Sequence, residues 1–126
     1  MNKPKDPILD LLPLREPTFF ILLSLAQGEK HGYAIMKDVE SLSGGKIKLS
    51  TGTLYEALAR LLDQELIQRL DAPEQEDEIR TEEKHPGKPR KAYRLTHFGR
   101  RVLEAETARM QNLVAAAQRR LGRQEA

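Results

Sequence analysis

Residues 50–64 have the sequence STGTLYEALARLLDQ, which predicts an amphipathic helix that reaches about Gln64. Ser50 or Thr51 can cap this helix, because a hydroxyl there accepts a hydrogen bond from a free amide of the first turn. One face is apolar and is expected in the core: Leu54, Leu58, Leu61 and Leu62. The opposite face is small or polar: Gly52, Glu56, Ala59, Arg60 and Asp63, with Thr53 and Tyr55 at its edges.

Two further helices are predicted before this segment. Pro17 suits the first position of a helix, where no backbone donor is needed. Apolar residues at 19–25 cover all sides of that helix, which marks it as the buried centre of the domain, and Gly28 fits its left-handed cap. The next helix runs from about His31 to Leu42. Its apolar stripe is Ile35, Val39 and Leu42.

The amino-terminal residues 1–14 contain three prolines, Pro4, Pro7 and Pro13. Because proline fixes its own backbone and disfavours helix in the residue before it, we expect an extended or frayed arm. A short amphipathic turn over Ile8–Leu12 is the alternative within this arm.

A hairpin and a long helix are predicted after residue 64. Leu66–Leu70 and Lys91–Thr96 are strand-like and are joined by a long polar tip. Thr96 can cap a last helix that runs to about Arg120. The predicted fold class is mainly α with a small β-hairpin. The predicted boundaries separate an arm (1–14), a compact domain (15–96) and a long C-terminal helix (97–126).

The composition argues against several classes of protein. The 126 residues allow one compact domain with an appended element, and the absence of cysteine excludes disulfides, thiolate metal sites and cysteine nucleophiles. The histidines are too scattered for a zinc site or a catalytic triad: His31, His85 and His97. We therefore expect no metal, no cofactor and no enzymatic activity.

The hydropathy pattern predicts a cytoplasmic protein without membrane contact. No apolar run approaches the ~18 residues of a membrane span. The run at residues 19–26 follows acidic residues and is too short for a typical secretion signal.

Charge is unevenly distributed along the chain. Residues 71–83 contain seven acidic residues and one basic residue, whereas the rest of the sequence contains 20 basic and 12 acidic residues. A basic body is consistent with a polyanionic partner such as double-stranded DNA. Two roles remain open for the acidic stretch, which can repel DNA or pair with the basic half of the chain when DNA is absent.

Three short helices followed by a hairpin is the order of a winged helix-turn-helix, whose third helix faces the DNA major groove. Residues 15–96 are then predicted to form a DNA-binding domain, and residues 97–126 a long C-terminal dimerisation helix. Thr53, Glu56 and Arg60 can then contact base edges, and the small residues at 52 and 59 let the backbone come close. Five bases and no acid between Lys84 and Arg94 suit a wing that lies beside phosphates. An ordinary solvated helix face and an unspecialised basic loop are the alternatives. The candidate DNA-binding residues are His31, Ser50, Thr51, Gly52, Thr53, Tyr55, Glu56, Arg60, Lys88, Arg90 and Lys91.

Four segments between about residues 14 and 120 closely resemble the PadR family of bacterial transcriptional regulators. They are His31-Gly32-Tyr33-Ala34-Ile35, Gly52-Thr53-Leu54-Tyr55-Glu56-Ala57-Leu58, Leu61 with Leu66-Ile67, and Gly87-Lys88-Pro89-Arg90-Lys91-Ala92-Tyr93-Arg94-Leu95-Thr96 with Gly99. The resemblance implies a homodimer that represses genes by occupying a roughly palindromic operator. It also implies dimerisation through the last helix, often helped by the amino-terminal segment, as in the short subfamily.

Two features depart from the family pattern. Glu56 stands where the family often has proline, and its carboxylate can accept from cytosine or repel phosphate. The connection into the wing is also longer and more acidic than the family pattern.

An apolar stripe on the last helix predicts the dimer interface: Leu103, Met110, Leu113, Val114, Ala117 and Leu121. It extends past any core that a domain of this size offers, so its distal half needs a partner. Tyr33 is expected to be a partly buried packing residue. His97 with Glu104 or Glu106 is expected to form a solvated helix surface.

The resemblance also suggests a small hydrophobic effector near the dimer interface. Its candidate lining is Met110, Val114, Leu12 and Phe19, which can equally be solid core. The alternative function is a winged-helix protein-interaction or dimerisation module that binds no DNA specifically.

Overall fold

Four α-helices and a small antiparallel sheet make up the described part of the chain. The computed structural model describes residues 6–70 and 91–122. The helices are α1 (Glu16–Leu25), α2 (Gly32–Leu42), α3 (Thr51–Asp63) and α4 (His97–Leu121), and a 3₁₀ turn spans Leu9–Leu11. The strands are β1 (Lys30–His31), β2 (Ile67–Leu70) and β3 (Ala92–Leu95). The predicted fold class, mainly α with a small β-hairpin, is confirmed.

Side-chain hydroxyls cap the amino termini of α3 and α4. The Ser50 hydroxyl accepts from the Thr53 amide at 3.1 Å and caps α3. The Thr96 hydroxyl accepts from the Gly99 amide at 2.8 Å and caps α4. Both caps were predicted from the sequence. Pro17 occupies the second position of α1 rather than the first, because the helix begins at Glu16.

The sheet has one strand more than the predicted hairpin. Its order is β1-β3-β2, with β3 pairing antiparallel to both neighbours. In the added pairing, Lys30 lies opposite Tyr93 and His31 lies opposite Ala92. A two-residue strand has no alternation to detect, which is why the sequence did not predict it. This strand joins the start of α2 to the base of the hairpin.

The core is centred on α1, which packs against α2, α4 and β3. The predicted apolar face of α3 is confirmed, with Leu54, Leu58 and Leu61 buried and Leu62 partly buried. The expected burial of α1 is confirmed for its second half, where Ile21, Leu22, Ser24 and Leu25 are buried. Leu42 is 43% exposed, so its placement on the buried stripe of α2 was wrong. It is the last residue of that helix.

The amino-terminal segment is packed rather than frayed from residue 6 onwards. The Asp6 carboxylate accepts from the amides of Ile8 and Leu9 and so begins the 3₁₀ turn. Apolar residues of the segment pack against the core: Ile8, Leu11, Leu12 and Leu14. The predicted frayed arm is therefore wrong for these residues, because their apolar side chains have a core to cover, and the alternative of a short turn within Ile8–Leu12 is confirmed. Its residues 1–5 lie outside the described ranges.

A buried carboxylate ties this segment to α4. Glu106 is 1% exposed, and its Oε2 accepts from the Leu14 amide at 3.0 Å. The Arg109 guanidinium donates to Oε1 at 2.6 Å and to Oε2 at 2.9 Å. These bonds favour the charged form, so the Arg109 hydrogen bond, joined by that of Leu14, lowers the pKa of Glu106 despite its burial. The expectation that Glu106 lies on a solvated surface was wrong, because the amino-terminal segment covers it.

None of the helices in the described ranges combines the length and the apolar character that a membrane span requires. These ranges also bring together no group of three side chains that suits a metal ion.

Candidate nucleic-acid interface

The outward face of α3 is exposed along its length. Gly52, Thr53, Glu56 and Arg60 are all exposed, as the helical spacing predicted. The helix is held from behind by its leucine face, so these side chains stand on a rigid support. Their role in DNA binding stays a prediction.

The first turn of α3 presents a defined hydroxyl arrangement. Besides accepting from the Thr53 amide, the Ser50 hydroxyl donates to Thr53 Oγ1 at 2.9 Å. Ser50 is thus occupied as a cap, whereas the Thr53 hydroxyl keeps its own proton for a ligand. Thr51 and Gly52 are exposed beside it. A helix amino terminus with free amides also suits a phosphate.

Neither packing nor backbone conformation requires a glycine at position 52 in this turn. A Cβ added at Gly52 would meet no atom within 4 Å, and its φ is not left-handed. The opposite holds for Gly32, the first residue of α2. A Cβ at Gly32 would overlap the Tyr55 hydroxyl and lie 2.9 Å from Tyr55 Cζ. A side chain at position 32 would therefore displace the Tyr55 ring end, whereas one at position 52 would displace nothing.

Tyr55 bridges the two helices of the helix-turn-helix. Its ring end rests on the backbone of Gly32, yet the side chain is 40% exposed. Within the described ranges its hydroxyl makes no hydrogen bond, so it can still meet a phosphate as predicted.

The sequence did not point to the exposed pair that Tyr33 and Lys37 form on α2. Tyr33 is 68% exposed, so its expected role as a partly buried packing residue was wrong. The buried stripe of α2 consists of Gly32, Ile35 and Val39, and Tyr33 lies outside it. The Lys37 ammonium stands 5.7 Å from the centre of the Tyr33 ring. Their spacing of four residues, which puts both on one helix face, is the signal that could have found them.

His31 and Lys91 meet at the base of the wing. The ring nitrogen Nδ1 of His31 lies 3.2 Å from the Lys91 carbonyl oxygen and donates to it. This arrangement leaves Nε2 for a ligand. Lys91 is half-buried at the start of β3. The other predicted wing cations, Lys88 and Arg90, lie outside the described ranges, as do the acidic stretch 71–83 and His85.

The predicted dimer stripe divides into a buried and an exposed half. Leu103 is 5% exposed within the core of its own chain, and Met110 is half-buried. The remainder is open to solvent: Leu113 at 56%, Val114 at 54% and Leu121 at 78% exposure, with Ala117 exposed as well. Of the residues predicted to line an effector site, Leu12 and Phe19 pack against the core.

Comparison with known proteins gives consistent matches. The model of the transcriptional regulator PadR-like family matches residues 21–105. An uncharacterised 37.1 kDa protein in transposon Tn4556 of Streptomyces fradiae is 39% identical over 93 residues, which are 74% of this chain. The chain spans about a fifth of that protein's length, 22%.

Two solved structures show the fold. A PadR family transcription regulator from Clostridium difficile R20291 is 25% identical, with a TM-score of 0.63 and coverage of 86% of this chain and 100% of that one. Bacillus subtilis PadR, solved in complex with operator DNA, is 23% identical, with a TM-score of 0.56. That match covers 72% of this chain and 46% of the other.

Proposed function

The chain belongs to the PadR-like family of transcriptional regulators, a family of regulators and not of enzymes, and from this premise we propose that it is a homodimeric repressor that binds operator DNA. The observation that carries the proposal is the exposed, capped face of α3, on which Gly52, Thr53, Glu56 and Arg60 stand clear of the core. The Bacillus subtilis relative was solved with operator DNA, which supports the same use of this fold.

We assign base reading to the outward face of α3 and phosphate binding to the groups around that face. Thr53, Glu56 and Arg60 face the major groove, where donors and acceptors differ between base pairs. Phosphate contacts come from the neighbouring groups and fix the position of the protein without reading sequence. These groups are Tyr33, Lys37, Tyr55, His31, the backbone amides of the first turn of α3 and the wing cations Lys88, Arg90 and Lys91.

Sequence specificity and salt dependence, measured for the same variants, test this division between base reading and phosphate binding. The measurements use a duplex selected from a random library and a scrambled duplex of the same composition. Arg60→Ala should cost ~1–3 kcal/mol on the selected duplex alone, if Arg60 is bidentate to guanine. Lys91→Gln should weaken binding to both duplexes equally and lower the salt slope by about one. Arg101→Gln, an exposed arginine of α4, is the control.

Three outcomes would contradict the proposal. Equal losses on both duplexes for the α3 variants would exclude base reading by this helix. Loss of specificity upon wing mutation alone would reverse the assignment. Binding with no salt dependence would favour the alternative, a protein-interaction module, because only phosphate binding releases counterions.

The distal half of α4 supports the homodimer. Leu113, Val114 and Leu121 are more than half exposed, and an apolar stripe of this kind on a 25-residue helix usually marks an interface. A two-fold dimer also sets two α3 helices about one DNA turn apart, ~34 Å. Leu113→Asp should therefore dissociate the dimer in sedimentation, whereas Arg101→Gln should not. A stable folded monomer of the wild type at micromolar concentration would contradict the dimer.

Relief of repression by a small hydrophobic effector at the dimer interface is the remaining part of the proposal. Met110 and Val114 would line such a site from each chain. A panel of hydrophobic aromatic compounds should then shift the melting temperature or the operator affinity. A panel without any such effect would contradict it.

A further inference from the structure

Glu56 places a carboxylate in the middle of the outward face of α3. Its side chain is exposed, and it lies between Thr53 and Arg60 along the helix. At 3.6 residues per turn, Arg60 lies about 6 Å farther along the helix axis and only about 40° away around it. The carboxylate therefore shares the part of the face that we propose to enter the major groove.

No interaction in the described part of the chain accounts for this carboxylate. In residues 6–70 and 91–122 its oxygens take part in no hydrogen bond and no ion pair. The spacing to Arg60 allows an ion pair, yet none forms in these ranges. Glu56 is also the sixth residue of α3, so it lies beyond the first turn, where a carboxylate is stabilised by the helix dipole. Both oxygens are therefore open to a partner outside the chain.

A carboxylate on this face discriminates among the groups of a DNA duplex. It carries only acceptor oxygens, so phosphates and the acceptor atoms of the major groove repel it. The major-groove groups that can donate to it are the amines, N4 of cytosine and N6 of adenine. Adenine N6 lies between two acceptors, its own N7 and O4 of the paired thymine, whereas cytosine N4 has an acceptor on one side only. Cytosine is therefore the base that suits a carboxylate best.

We infer that Glu56 is a specificity-determining residue, whose carboxylate accepts a hydrogen bond from N4 of a cytosine in each operator half-site and opposes binding to duplexes without a cytosine at that position. This role rests on the proposed function, because it requires that α3 enters the major groove. An unpaired charge that faces the wrong partner is a source of specificity, since it lowers the affinity for competing sites.

Selection of sites from a random duplex library tests which base is read. Wild-type sites should contain a cytosine at one fixed position of each half-site. Glu56→Gln keeps the size and helix propensity of the side chain and removes its charge, so its sites should lose this cytosine and keep the remaining preferences.

Asp63→Asn is the matched control for this selection. It removes a charge from the same exposed face at the last residue of α3, about 10 Å farther along the axis. The amino-terminal part of a recognition helix contacts the bases, so the sites of this variant should match those of the wild type. Glu56→Gln sites identical to the wild-type sites would overturn the contact. The same loss of cytosine in Asp63→Asn sites would assign it to net charge instead of Glu56.

Anisotropy titrations then isolate the cytosine amine. Uracil carries an acceptor oxygen in place of this amine, and unlike thymine it adds no methyl group. Replacing the fixed cytosine by uracil, paired with adenine, should weaken wild-type binding at least about tenfold. The same replacement should change the affinity of Glu56→Gln less than about twofold, because a glutamine amide can both donate and accept. Equal discrimination between cytosine and uracil by the two proteins would overturn the contact.

The scrambled duplex tests whether Glu56 opposes binding to the wrong sequence. Glu56→Gln should bind it at least about twofold more tightly than the wild type, because the carboxylate then faces phosphates and base acceptors alone. Equal or weaker binding by the variant, shown to be folded by circular dichroism and thermal melting, would overturn this opposition. A wild type that binds neither duplex would instead overturn the proposed function. Sequence-specific binding that Glu56→Gln leaves unchanged would overturn only the role of Glu56.

Discussion

Replacing Gly52 with alanine should stabilise the fold and weaken DNA binding. Gly52 is the second residue of α3, and a Cβ there would meet no atom within 4 Å. Alanine is favoured over glycine by about 1 kcal/mol in a helix interior, and by less in the first turn. We therefore expect the free energy of unfolding to rise by about 0.5 kcal/mol.

The same methyl group should obstruct DNA if the first turn of α3 meets the duplex. The added carbon projects from the outward face, where the backbone and the Thr53 hydroxyl are proposed to approach DNA. A separation larger by even a fraction of an ångström lengthens several contacts at once. We expect at least a tenfold loss of affinity, ~1.4 kcal/mol, on selected and scrambled duplexes alike.

Urea unfolding and fluorescence anisotropy measure the two effects at one protein concentration. Ala59→Gly is the matched control, because Ala59 is exposed on the same helix. It should lose about 1 kcal/mol of stability and retain DNA affinity where it is folded. If Gly52→Ala were less stable than the wild type, the conclusion that the fold has room for a Cβ at this position would be wrong. If it bound DNA normally, close approach of this turn would be refuted.

Three further predictions concern positions outside this turn. Glu106→Gln should destabilise the protein by about 1.5–3 kcal/mol at pH 7, because the carboxylate accepts charge-assisted hydrogen bonds from Leu14 and Arg109. Since the folded-state pKa of Glu106 is lowered, this stabilisation is complete above the usual glutamate pKa and is lost as pH falls through the folded-state value. Urea unfolding from pH 7 to pH 3 should therefore show the stabilities of wild type and variant converging. A constant difference in stability would contradict the role of the charged carboxylate. Gly99→Ala should cost about 1–3 kcal/mol, because its Cβ would overlap the Leu66 carbonyl oxygen, and thermal melting without any decrease would contradict this packing. Tyr33→Phe should leave stability within about 0.5 kcal/mol and weaken binding to both duplexes in anisotropy titrations, whereas normal affinity would remove Tyr33 from the interface.

Helix boundaries were predictable where a local signal fixes them. Ser50 and Thr96 cap through bonds to residues three positions away, so a short window of sequence contains the whole interaction. The burial of Glu106 could not be predicted in that way. Its partner Leu14 is 92 positions distant, and no local sequence pattern around either residue marks it as the partner of the other. Strand β1 likewise exists only because β3 lies beside it.

The candidate site shows the same limit at the level of single glycines. Gly32, Gly52 and Gly99 all lie in the segments that resemble the family, and the sequence alone gives no reason to treat them differently. The space around each Cβ separates them, since positions 32 and 99 are filled by Tyr55 and by the Leu66 carbonyl, while position 52 is open. Glycine is the poorest helix former after proline, so its presence at an open helical position costs stability without any return in packing. The fold does not require glycine at position 52, and the outward face of α3 takes no part in the core. We therefore explain this glycine by the partner that the outward face approaches. The DNA backbone is the partner that we propose for this face, and Gly52→Ala is the substitution that separates binding from folding.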